Sequence, residues 1–152
     1  MTSYEDVYRA FLRKIEDLDL PQMDEVEQDD MLRGWLDDAI AYIELDDIKI
    51  RNDLSDRDDE QESFNADLYN SEITVLSMYM VVAWYDQFIN SAEHTLAFWG
   101  SKDERWTDQK NHLNALLETQ RAYRIRARKY FRNYAYRHND YIGTVEEETN
   151  EI

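Results

Sequence analysis

From Asn65 to Asn90 the chain reads NADLYNSEITVLSMYMVVAWYDQFIN, and apolar residues cover nearly the whole circumference of a helix. Ile73, Val75, Leu76, Met78, Tyr79, Met80, Val81, Val82, Ala83 and Trp84 leave almost no polar stripe. A helix that is apolar all round is either buried on every side or spans a membrane. A span needs about 20 mostly apolar residues, and this run is shorter. Asp67, Asn70, Glu72 and Asp86 also close in on it. The pattern predicts a central core helix, capped by Asn65 or Asp67 and ending near Asn90 and Ser91, with the other elements packed around it.

Before it lie two amphipathic stripes. Val7, Phe11, Leu12, Ile15 and Leu18 recur at helical spacing after a cap at Thr2 or Ser3, and Pro21 ends that helix or starts the next turn. Leu32, Trp35, Leu36, Ala39, Ile40 and Ile43 predict a second helix over 24–45. Gly34 inside it costs roughly 1 kcal/mol against Ala, which fits either close packing by a neighbour or simple tolerance.

Two stretches break the pattern. In 46–63, DDIKIRNDLSDRDDEQES, the alternation of Ile48, Lys49 and Ile50 suits a short strand or an extended arm, and the rest reads as a charged loop. Counting a calcium loop from Asp53 puts Ser55, Arg57 and Asp58 at positions three, five and six, and the motif fails. In 91–107 the pattern predicts an apolar loop carrying Leu96, Phe98, Trp99 and Trp106, folded onto the core or pressed against a partner.

The last predicted helix is the longest, 108–139, capped by Thr107. Leu113, Leu116, Leu117, Gln120, Tyr123, Ala127, Tyr130, Phe131 and Tyr134 trace its buried face. At 1.5 Å per residue it is roughly 45 Å long, more than a domain of this size can cover. Its far end must project or lie along another molecule. The tail DYIGTVEEETNEI, 140–152, lacks periodicity and reads as an extended arm without fixed structure when free. The expected fold is therefore all-α. It is one four-helix domain over 1–139 with a central buried helix, an overlong C-terminal helix and two long loops, followed by the acidic extended arm 140–152.

Composition sharpens this. Gly 3 and Pro 1 in 152 residues favour long helices over hairpins. Cys 0 excludes a disulfide scaffold, a thiol nucleophile and thiolate metal sites. The polar start MTSYEDVYRA predicts no secretory leader, and a cytosolic setting fits. Net charge is −17, so most of the surface repels duplex DNA. The charge is uneven: residues 1–75 carry 7 Lys+Arg against 23 Asp+Glu, whereas 121–137 hold seven basic residues and no acid. Such a chain can attract copies of itself, acidic face to basic face.

Nothing in the sequence forms a catalytic constellation. His94, His112 and His138 are scattered, no Glu-x-x-His pair occurs, and no Gly-rich phosphate loop is present. No enzyme activity, metal or cofactor is expected. The basic, tyrosine-rich segment 121–137 has three readings: a buried tyrosine stripe whose basic back meets a neighbour's acidic helix, the same stripe with a solvated back, and a nucleic-acid footprint. The candidate interface residues are Trp99, Trp106, Arg121, Arg124, Arg128, Arg132, Tyr136, Tyr141 and Ile142.

The order of segments is suggestive. LRGWLDDAIAYIE (32–44) precedes IKIRNDL (48–54), then FNADLYNSEITVLSMYMVVAWYDQFINSAEH (64–94), then a tryptophan-bearing loop and NHLNALLETQR (111–121). This resembles the small α-helical head–tail connector proteins of tailed bacteriophages of Gram-positive hosts, also called adaptor or neck proteins. The resemblance covers roughly 25–135. Its most specific part is Glu72, Ile73, Leu76, Met80, Val81 and Trp84. It implies a virion structural protein at the head–tail junction, made in the host cytoplasm. Such a protein forms a ring of about twelve copies, closed by a head-to-tail contact, beneath the portal protein. The ring extends the channel through which DNA slides without sequence-specific binding, and it docks the stopper or tail completion protein. A terminal arm commonly reaches into the portal. The alternative is a small acidic intracellular binding protein, a DNA-mimic inhibitor of a nucleic-acid enzyme. Neither reading involves a membrane.

Overall fold

The computed structural model describes residues 1–100 and 104–138, with side chains up to Tyr134. Its elements run β1 (Thr2–Ser3), α1 (Tyr4–Leu12), a 3-10 turn (Leu20–Gln22), α2 (Glu25–Leu45), β2 (Arg57–Asp58), β3 (Ser63–Phe64), α3 (Asn70–Trp99) and α4 (Arg105–His138). The fold is all-α with four helices and a small three-stranded antiparallel sheet of order β1-β3-β2.

The sequence pattern explains the core. Residues of α3 from Val75 to Ala83 are buried on every side, as an all-apolar circumference requires. Tyr4, Val7, Tyr8 and Phe11 of α1, Leu32, Trp35, Leu36, Ala39 and Ile43 of α2, and Ala127 and Phe131 of α4 close around them. Ser3 caps α1 by accepting from the Glu5 amide, and Asp24 caps α2 by accepting from the Glu27 amide.

Four boundaries differ from the expectations above. α1 stops at Leu12, and Leu12 and Leu18 are exposed. The chain turns there because Asp17 Oδ1 accepts from the Asp19 and Leu20 amides. α3 starts at Asn70 without a side-chain cap, because Tyr69 holds the N-cap position; Asn65 donates to Asp56 instead, and the Met1 ammonium pairs with Asp67. No strand forms at 48–50, where Ile48 and Ile50 pack half-buried against the core. The strands lie at 57–58 and 63–64 instead, with β1 added to β3. Finally, 91–107 is not a loop: α3 continues to Trp99 and α4 begins at Arg105. Gly100 ends α3 at φ 71°, its amide donating to the Leu96 carbonyl.

The acidic segment between α2 and α3 is held down by its own ion pairs. Arg57 reaches Asp37 on α2 at 2.8 Å, and Arg33 reaches Asp59 at 2.6 Å. Tyr4 Oη donates to the same Asp59 at 2.7 Å, and its hydroxyl pKa is pushed up to about 12 by burial and then by that bond. Leu54, Phe64 and Leu68 are buried beneath. Glu72, with no exposed surface, sits in the first turn of α3, where the helix dipole favours a carboxylate. Asn52 Nδ2 donates to both its oxygens at 3.0 and 3.2 Å.

Candidate functional site

α3 changes character at its midpoint. Up to Ala83 it is enclosed, and from Trp84 onward its surroundings thin out. Trp84 Nε1 donates to Asp17 at 2.8 Å, and Tyr42 Oη of α2 donates to Asp86 at 2.7 Å. Among the described residues, hydrogen bonds from α1, α2 and their connection reach α3 no further than Asp86. Ile89 and Ala92 are buried but stand apart from the main core. Beyond Phe88, α3 runs on beside α4 as a paired arm, about 17 Å long at 1.5 Å per residue over the eleven residues Ile89–Trp99.

The base of this arm is pinned by Gln120 of α4, whose Nε2 donates to the Val82 carbonyl at 2.9 Å and to Asp86 Oδ1 at 2.7 Å. Its far end is aromatic. Trp99 lies under the Arg105 guanidinium at 4.5 Å, a contact that links the end of α3 to the start of α4. Trp106 lies under the Lys110 ammonium at 4.8 Å. Phe98 is 85 % exposed. Leu117 and Phe88 are exposed as well, while Leu96, Leu113 and Leu116 are half-buried. A two-helix arm has only one face to shield, so apolar residues off that face meet water.

Further along, α4 returns to the body and divides its cations. Arg124 donates to both carboxylate oxygens of Asp46, the C-terminal cap of α2, and Arg128 donates to one of them at 2.9 Å. Tyr79 Oη donates to the same carboxylate at 2.7 Å. Burial pushes the Asp46 carboxyl up, but the bonds from Arg124 and Tyr79 and the two guanidinium charges outweigh it and hold it below the usual range. Arg121, Arg126, Lys129 and Arg132 stay exposed. Ile125 sits among them, 55 % exposed, off the stripe of Tyr123, Ala127 and Phe131 that faces the core.

The structure distributes the residues singled out above as follows. Trp99 closes α3 and Trp106 lies in the first turn of α4, each under its own cation. Arg121 and Arg132 are exposed on α4. Arg124 and Arg128 turn inward on Asp46, so part of the basic face is taken up within the chain. Tyr136 lies in α4 with its side chain outside the described set, and Tyr141 and Ile142 lie outside the described residues. His94 and His112 are exposed and far from a shared centre. Among the described residues no group of three His, Cys, Asp or Glu side chains is placed to hold a metal ion. No described helix is long and apolar enough to cross a membrane.

Sequence reasoning missed Ile125 and Asp46. Ile125 had a signal: it is a lone aliphatic side chain on the arginine face of its helix. Asp46 had none, since its partners Tyr79 and Arg124 are 33 and 78 residues away. No protein-family model matches the chain, and no match was found among curated proteins or solved structures.

Proposed function

We propose that this chain is a non-enzymatic structural connector of a phage neck. It assembles as a ring of about twelve copies by heterologous contacts beneath the portal. One observation carries the reading: a paired helical arm runs on past the body and ends in Trp99, Trp106 and the exposed Phe98. Aromatic anchors on a rigid arm suit docking to a protein partner, because they offer large contact area at low entropic cost. The connector resemblance over 25–135 supports the same role.

Charge supports it further. The carboxylates of Asp24, Glu25, Glu27, Asp29, Asp30, Asp37, Asp38 and Glu44 are exposed along α2. Facing a channel, they repel the DNA backbone and let it slide. Facing a neighbouring copy, they meet the exposed cations of α4. The test is coexpression with the portal protein of the same virus, followed by electron microscopy and mass measurement. A closed ring seated on the portal supports the proposal. A chain that stays monomeric beside intact portal rings sinks it.

The same column of acids favours one rival, a DNA-mimic inhibitor. That reading requires retention of a nucleic-acid enzyme on the immobilised chain, released by salt. It leaves the aromatic arm without a task.

A further inference from the structure

Arg121, Ile125, Lys129 and Arg132 follow one another at helical spacing on the outer face of α4. Beside them runs the segment after α2, with Ile48 and Lys49. Between the two lies an open groove of about 600 Å³, lined by Ile48, Lys49, Ile125, Lys129, Phe131 and Arg132 among others. Its cations are in excess. Asp46 is already engaged with Arg124 and Arg128, and Asp47 with Lys49. No ion pair among the described residues engages Arg121, Lys129 or Arg132. Ile125 offers an apolar centre within this basic rim. A surface of this kind fits an extended acidic segment carrying an aliphatic side chain.

We propose that the occupant is the chain's own segment 139–152. It holds Asp140, Glu146, Glu147, Glu148 and Glu151, with no Lys or Arg, and the aliphatic residues Ile142 and Val145 stand beside those acids. It leaves α4 at His138, six helical residues or about 9 Å beyond Arg132 at the groove's edge. From Ile125 to His138 the helix rises about 20 Å, and fourteen extended residues reach at most about 46 Å. A chain that turns back directly after His138 brings Val145, seven residues on and so up to about 23 Å away, level with the groove and lays Glu146–Glu148 along the cations. Tethering keeps the effective concentration near the millimolar range, so modest affinity suffices. The proposal is independent of the ring reading. If both hold, the segment masks the basic face of the free subunit until a neighbour's acidic α2 displaces it.

The test uses the full chain and a carbodiimide, which joins a lysine amine directly to a carboxylate in contact with it. The expected result is amide links from Lys129 or Lys49 to Glu146–Glu148 within single molecules. They should exceed links from Lys110 on the arm, and an equal mixture of light and nitrogen-15 chains assigns them to one molecule. Ile125→Asp combined with Arg132→Glu, both at exposed positions, should reduce them to the Lys110 level while leaving the far-ultraviolet circular dichroism unchanged. The proposal is overturned by tail links no more frequent at Lys129 than at Lys110, or by links unaffected in the variant. Tail links that join isotope-mixed pairs of chains also overturn it.

Discussion

Arg124 Nε and Nη2 donate to the two carboxylate oxygens of Asp46 at 2.7 and 2.5 Å, fastening α4 to the end of α2 across 78 residues of sequence. The Asp46 side chain is 2 % exposed and Arg124 is partly open to solvent. Removing the carboxylate strands the Tyr79 hydroxyl and the guanidinium together. Asp46→Ala should therefore cost about 2–3 kcal/mol. Arg128→Ala, at a half-exposed pair, should cost no more than about 0.5 kcal/mol. Urea denaturation of the two variants measures the difference.

The same carboxylate makes the fold acid-sensitive. Asp46 is held below the usual carboxylate range. So is Asp17: burial opposes this, but the Trp84 indole and the Leu20 and Asp19 amides prevail. A carboxyl with a lowered folded-state pKa binds fewer protons folded than unfolded. Its stabilisation is full above an unfolded value of about 3.9 and is lost as pH falls through the folded value. Asp38 acts in the opposite sense. Burial and the charges of Asp86 and Asp37 push it up, so its small penalty fades on acidification. Stability should fall steeply below pH about 4, and Asp46→Asn should flatten that limb. Tryptophan emission against pH measures both.

Two glycines should respond in opposite directions. A Cβ at Gly34 meets nothing within 4 Å, so close packing inside the subunit does not account for it. Gly34→Ala should raise monomer stability by up to about 1 kcal/mol through helix propensity. Gly100 holds a positive φ at the end of α3. Gly100→Ala should cost about 1 kcal/mol at the turn between α3 and α4, although space is free there. Thermal unfolding of both variants tests the contrast.

The arm should open before the body. Amides of Ile89–Trp99 and Arg105–Leu117 rest on a two-helix contact, whereas those from Val75 to Ala83 lie in the common core. Hydrogen exchange should release the first group by sub-global opening and the second only by global unfolding. Phe98→Ser should leave global stability within about 0.5 kcal/mol of the parent chain, yet weaken binding to a partner.

The core was legible from the start because α3 needs apolar residues on every side and nothing else in the chain offers them. The arm was misread as a loop because a two-helix contact demands only one narrow apolar face. Ile89, Ala92, Leu96 and Trp99 do recur at spacings of three, four and three, but the polar residues from Ser91 to Thr95 hid them. The sheet was illegible because two-residue strands carry no periodicity. Their placement rests on Arg57, Arg33 and Tyr4 meeting acids from elsewhere in the chain. Trp99 and Trp106 stand at the end of the arm, but no spacing rule could tell that Arg124 and Arg128 would turn inward.

The connector account is tested most directly by the mass of the particle formed with the portal. Native mass spectrometry should find the 18.4 kDa chain added to each portal ring in a fixed multiple. Trp99→Ala combined with Trp106→Ala should abolish the addition while leaving a folded monomer. A monomer that ignores the portal, or a ring indifferent to both tryptophans, would contradict the account.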